Sequence, residues 1–263
     1  MEVLTPRSLD EALELRGRHP EALPVEGGTD VLVELNFDRK RPDVLLNLNE
    51  VAELRGWSRE DGTLRLGASL TYAEAMESPL AGLLPALAEA SRTVGSPQIR
   101  NRGTIGGNLG TASPAGDALP PLLVAGARVE LASTRGAREL PLTEFLVGPK
   151  RNALESDELI VAVRVASVEA PQTFMKVGPR NAMVIAVCSL ALLVDRKRDE
   201  LRAAYGSAGP VAGLVTAPLA DAAGFPDLVA GAARPIDDVR GTAAYRRHAL
   251  RILTRRALER CLA

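Results

Sequence analysis

The chain has 263 residues, 46% of them hydrophobic, with 32 basic side chains against 33 acidic and a formal charge of −1. That length suits one large domain or two small ones and buries a sizeable core without disulfide or metal staples. The charge balance leaves no overall field to attract nucleic acid or anionic lipid, and aromatics at 3% are too few for a base-stacking surface.

In chain order, Ser8-Leu-Asp-Glu11 has capping-box spacing, with Leu9, Ala12 and Leu13 behind it and a stop at Gly17. Leu23-Pro-Val25 reads as a short strand entering Gly27-Gly28, and Asp43 to Leu48 as another, so residues 1–55 form a small βαβ-like unit. Thr63 to Ala68 alternates as a half-buried strand, and Leu80 to Thr93 has helical spacing through Leu83, Leu84, Leu87 and Ala88. A glycine-dense stretch from Ser96 to Asp117 is read as a loop. Arg128 to Ser133 and Arg138 to Leu142 form a hairpin about Thr134-Arg-Gly136, and Leu159 to Val165 is a further strand. Beyond a linker at residues 167–172, Phe174 to Val177, residues 183–194 and Leu201 to Gly206 read as three antiparallel strands. A Gly/Pro/Ala-rich connection then leads to a long helix from about Thr242 to Leu262.

Cys188 and Cys261 form no C-x-x-C pair, so the chain cannot ligate an iron–sulfur cluster by cysteine alone. Cys188 reads as inert packing in an apolar strand, and Cys261 as part of a fraying terminus. His19 falls in a loop and His248 on the long helix, and neither has a neighbour that makes a nucleophile–base pair. Low cysteine use points to a reducing, cytoplasmic setting. The charged first residues lack the apolar core of a signal peptide, and the run Ala182 to Val194 is too short to span a bilayer. The last helix carries Arg246, Arg247, Arg251, Arg255, Arg256 and Arg260; its stripe of Ala249, Leu250, Leu253, Ala257 and Leu258 reads as core packing beneath a solvated basic face.

Two clusters carry the chemistry: Val25-Glu-Gly-Gly-Thr-Asp30, and the stretch from Arg100 to Asp117 with Gly106-Gly107 among Thr104, Asn108, Thr111, Ser113 and Asp117. Glycines let backbone come close to a ligand, and free amides favour anionic oxygen. Neither the Walker nor the Rossmann glycine pattern is present. The residues alone suggest a dinucleotide held by two distant loops, with ordinary turns as the bland alternative.

Glu26-Gly-Gly-Thr-Asp30, Gln98-Ile-Arg-Asn-Arg-Gly-Thr-Ile-Gly-Gly-Asn108 and Ala112-Ser-Pro-Ala-Gly-Asp117 together resemble the FAD-binding medium subunit of molybdenum hydroxylases, the carbon monoxide dehydrogenase and xanthine dehydrogenase family. The resemblance continues through Thr173 to Arg180 and ends with Pro235-Ile-Asp-Asp-Val-Arg240 and Tyr245-Arg246. It implies an α+β protein: a two-part FAD-binding domain of the vanillyl-alcohol-oxidase type over residues 1–168 (parts of about 1–55 and 56–168), then a C-terminal domain, 169–263, of three antiparallel strands and a helical bundle. It further implies that Gly27, Gly28, Thr29, Asp30 and Val31 cradle the FAD pyrophosphate. Thr104, Gly107, Asn108, Gly110, Thr111 and Asp117 would surround the phosphates, the ribityl chain and the approach to the flavin, with Leu154 and Lys176 lining or supporting the ring.

By the same resemblance the chain is an oxidoreductase subunit without activity on the substrate alone. It would receive electrons from an iron–sulfur small subunit, itself fed by a molybdenum-cofactor large subunit, in a heterotrimer that can dimerise. Its FAD would pass them to an external acceptor: NAD, a quinone, a cytochrome or oxygen. Two departures stand out. Glu26 occupies a position where relatives carry a small apolar residue, and its carboxylate is expected to turn away from a diphosphate. The segment between Pro218 and Arg234 is shorter than usual. The alternatives are a self-sufficient flavin oxidase or reductase of the same fold, and a non-catalytic scaffold that has lost its flavin.

Overall fold

A computed structural model describes residues 1–167 and 169–263. Ser8 caps the first helix, Leu9–Arg18, by accepting from the Glu11 amide at 3.2 Å, and the Glu11 carboxylate accepts from the Arg7 amide at 2.8 Å. The helix turns Ala12 and Leu13 inward, onto a parallel sheet in which Glu2–Leu4 and Leu23–Val25 flank Val44–Asn47. The Glu2–Leu4 strand is not legible in the sequence, because its three residues are too few to show a period.

The middle of the chain builds a five-stranded antiparallel sheet in the order Trp57–Glu60, Thr63–Gly67, Leu159–Ala166, Arg128–Ser133, Gly136–Pro141. The expected helix over 80–93 is two helices, Leu80–Leu83 and Pro85–Thr93. Pro85 has no amide to continue the first helix but suits the first turn of the second. The glycine-dense stretch expected to be loop also contains helices, Pro97–Arg100 and Ile105–Thr111. In the latter, Thr104 accepts from the Gly107 amide at 3.0 Å, and Gly106 sits so close to Ala68 that a Cβ would lie 2.7 Å from the alanine's Cβ. Capping and close packing override the poor helix propensity of three glycines in seven residues.

The third layer is an antiparallel sheet of four strands: Gln172–Val177, Cys188–Asp195, Glu200–Gly206 and Gly213–Pro218. The first three are those expected, the second beginning at Cys188 rather than at 183. The fourth extends the sheet within the stretch expected to be a connection; it is an edge strand ending on Pro218, where no ladder amide is needed. The Cys188–Asp195 strand is buried on both faces. Leu190, Leu192 and Val194 meet Leu250, Leu253 and Leu258 of the Thr242-capped helix Ala243–Leu262, whereas Ala191 and Leu193 join the core of the middle sheet. Burial on both sides accounts for the unbroken apolar run in the sequence.

Two side chains of the last helix depart from expectation. Arg246 is buried, donating to the Ser207 carbonyl at its Nη1 and to Asp238 Oδ1 at 2.5 Å, so it is no part of a solvated basic face. Cys261 is buried in the same core rather than frayed, and burial pushes its thiol up to about 11; Cys188, more deeply buried, is pushed up to about 12. His248 is exposed. No described helix is long and apolar enough to cross a membrane. The expected domain boundary after residue 168 falls on Val168, which lies outside the described residues.

Contacts either side of that boundary are polar as well as apolar. Glu89 accepts from the Thr173 hydroxyl and the Phe174 amide, both at 2.8 Å, and from Arg260 at 2.6 Å. Lys176 Nζ meets Asp117 Oδ2 at 2.6 Å with both side chains under 10% exposed. Burial raises the Asp117 carboxyl, and Lys176 opposes that rise. Removing one partner of such a pair leaves an uncompensated buried charge. Lys176→Met should therefore lower stability to urea by about 3–5 kcal/mol, with much of the loss recovered in the double variant Lys176→Met, Asp117→Leu. A single variant within about 1 kcal/mol of the parent would show that the pair is not sealed from water.

Candidate cofactor site

The strand Leu23–Val25 ends where the Val25 carbonyl accepts from the Leu48 amide at 2.8 Å; from there the chain leaves the sheet. Gly28 takes φ +73°, and a Cβ on Gly27 would fall inside the Arg102 carbonyl. The turn is thus held against the second glycine segment. Among the described residues, none of the amides of Gly27, Gly28, Thr29 and Asp30 donates to a protein acceptor. Four successive free amides in a sharp turn form an anion-binding concavity. Asp30 has the residue type of a helix cap but does not cap Val31–Asn36; its Oδ2 accepts instead from the Thr111 hydroxyl at 2.9 Å.

The second segment has a different task from the one its glycines suggest. Its amides are already committed: Ile105 to the Leu70 carbonyl, Gly106 to Ala68, Gly107 to the Thr104 hydroxyl and Asn108 to the Thr104 carbonyl. It offers a close backbone surface rather than donors. Gly107 and Gly110 are exposed along the cavity, and at Gly107 an added Cβ would lie 3.0 Å from Thr104 Oγ1. Three further bonds tie the surroundings together. Asn49 Nδ2 donates to the Glu26 carbonyl at 2.8 Å, Arg102 Nη2 to Asn49 Oδ1 at 2.7 Å, and Asn152 Nδ2 to the Gly110 carbonyl at 2.8 Å.

One cavity collects nearly all the expected site residues: Glu26, Gly27, Gly28, Thr29, Asp30, Val31, Thr104, Gly107, Asn108, Gly110, Thr111 and Leu154. Asp117 and Lys176 do not line it; they lie behind, paired with each other. Glu26, expected to turn away, has its Oε2 sealed from solvent with no partner, and so has the neighbouring Ser69 hydroxyl. Asn108 Oδ1 is likewise buried and unpartnered. Leu48, Leu54, Leu154 and Ile160 supply apolar wall. Sequence reasoning missed Arg16, Ser69, Tyr72, Lys40 and Lys150, which also line the cavity. They come from four separate segments with no motif, so only the fold brings them together. Lys40 and Lys150 both meet Glu34, at 2.7 and 3.3 Å, and the hydrogen bond from Lys40 chiefly holds the Glu34 carboxyl below its usual range.

Free amides and an apolar wall fit a diphosphate-bearing cofactor with a flat ring. Comparison with known proteins agrees. Residues 1–167 match the family model described as the FAD binding domain in molybdopterin dehydrogenase. The chain is 35% identical over 211 residues to the xanthine dehydrogenase FAD-binding subunit of Escherichia coli O157:H7, covering 77% of this chain and 72% of that one. It is 37% identical over 204 residues to the nicotinate dehydrogenase FAD-subunit of Eubacterium barkeri, covering 74% and 69%. The fold superposes on a chain of carbon monoxide dehydrogenase from Hydrogenophaga pseudoflava with a TM-score of 0.91, at 26% identity, covering 100% of this chain and 97% of that one. The chain belongs to the family of FAD-binding domains of molybdopterin dehydrogenases.

Proposed function

We propose that this chain is the FAD-bearing electron-transfer subunit of a molybdenum hydroxylase, taking electrons from an iron–sulfur partner subunit and delivering them to an external acceptor. The observation that carries the reading is the run of four free amides from Gly27 to Asp30, braced by the second glycine segment. The relatives named as FAD subunits support the division of labour among several chains.

FAD bound here would supply the redox chemistry, which includes both one- and two-electron exchange. The protein's part is to bind and orient. Gly27, Gly28, Thr29 and Asp30 would hold the diphosphate through their amides. Val31, Thr104, Gly107, Asn108, Gly110 and Thr111 would shape the surface beside it, and Leu154 would exclude water from the ring. Asp117 and Lys176 would act from behind, fixing the C-terminal layer against the site. The partners proposed are an iron–sulfur small subunit and a molybdenum-cofactor large subunit, in the cytoplasm.

Two tests follow. Purified chain should show a flavin absorption spectrum, or acquire one on adding FAD, and acid should release FAD; protein that is colourless and refuses FAD would overturn the reading. Gly107→Val should lose FAD with at most a small drop in the melting temperature of the apoprotein, because the new side chain faces the cavity and presses on the Thr104 cap alone. Gly27→Ala should lose both FAD and stability, since its Cβ collides with the Arg102 backbone. Equal FAD occupancy in Gly107→Val and the parent would remove this segment from the site.

A further inference from the structure

Glu26 stands where the strand ends and the free amides begin. Its carbonyl accepts from Asn49 Nδ2 at 2.8 Å, which fixes the backbone at this position. Its Oε2 is shut off from solvent without a well-aligned partner, the hydroxyl of Ser69 lies beside it, and both residues line the cavity. The cations facing it, Arg102 and Arg55, donate to Asn49 Oδ1 and the Asn49 carbonyl rather than to the carboxylate. Glu74 adds a second acid nearby, and Arg16 and Asp30 line the same cavity. Among the described residues the Glu26 carboxyl thus forms no salt bridge, and it lies beside amides arranged to receive an anion.

We propose that Glu26 takes up a proton when a diphosphate-bearing dinucleotide enters this cavity, so that FAD binding is proton-linked. The proposal rests on the FAD reading above. The proton comes from bulk solvent and adds to the carboxylate; no other bond is made or broken. Two effects favour it. The incoming phosphates repel a neighbouring negative charge, and the ligand displaces water that would solvate it. The neutral acid also gains an O–H that the Ser69 oxygen can accept. Burial already raises this carboxyl in the free protein; Ser69, Arg102 and Arg55 oppose that rise and Glu74 adds to it. Binding raises it further, so affinity is full at low pH and falls as pH rises between the free and bound titrations.

The experiment is FAD titration of the apoprotein, followed by flavin fluorescence, at intervals from about pH 5.5 to 8.5, a window in which FAD itself does not titrate. Isothermal calorimetry in buffers of different ionisation enthalpy counts the protons taken up. The parent should lose affinity by up to about tenfold per pH unit above the free titration, with net proton uptake. Glu26→Gln should be flat and bind more tightly than the parent at the top of the range. A flat parent profile without proton uptake, or a slope retained in Glu26→Gln, would overturn the proposal and leave the FAD reading standing. Weaker binding by Glu26→Gln at high pH would also overturn it, since it would show an ionised carboxylate accepting from the ligand. Failure of the parent to bind FAD at any pH would overturn both readings. The calorimetric proton count needs no variant and stands even if Glu26→Gln fails to fold.

Discussion

The site depends on the contact between two glycine segments about eighty residues apart, where Gly27 lies against the Arg102 carbonyl and Asp30 accepts from Thr111. A turn with four unpaired amides is unstable by itself, because each donor seeks a partner and the backbone is free to find one. The second segment prevents that by packing and side-chain bonds that leave the amides untouched. Each of these bonds is worth about 0.5–1.5 kcal/mol net. Together with the close packing at Gly27 they hold the turn in place.

The rest of the fold makes that contact rigid. The first segment hangs from the parallel sheet, whereas the second is pinned just past the end of the Thr63–Gly67 strand through Gly106 on Ala68 and the Ile105 amide on the Leu70 carbonyl. The C-terminal layer is locked to the same core by the doubly buried Cys188–Asp195 strand, by Glu89 and by the Asp117–Lys176 pair. Polar groups sealed inside this assembly are concentrated where they either bridge layers or face the cavity. Glu26 and Ser69 are of the second kind, each with a buried, unpartnered oxygen.

Much of this was legible in the sequence. The alternation of Thr63 to Ala68, the hairpin about Gly136 and the apolar stripe of the last helix all appear where their periods place them. Twelve of the fourteen residues expected at a cofactor site line one cavity. What escaped reading has physical reasons. The Ile105–Thr111 helix is built against the propensity of its own glycines by tertiary contact. The division of labour between the glycine segments, one donating and one bracing, depends on where each amide finds its acceptor. Arg246 looks like a surface charge until the Ser207 carbonyl and Asp238 claim it. The cavity residues Arg16, Tyr72 and Lys150 are related only by the fold.

The most direct test of the account is amide hydrogen exchange measured by NMR at Gly27, Gly28, Thr29 and Asp30, with and without FAD. The account predicts fast exchange at all four in the apoprotein and strong protection once FAD is bound, with the already bonded amides of Ile105 and Gly106 protected in both states. Protection of the four in the apoprotein, or no change on adding FAD, would contradict it.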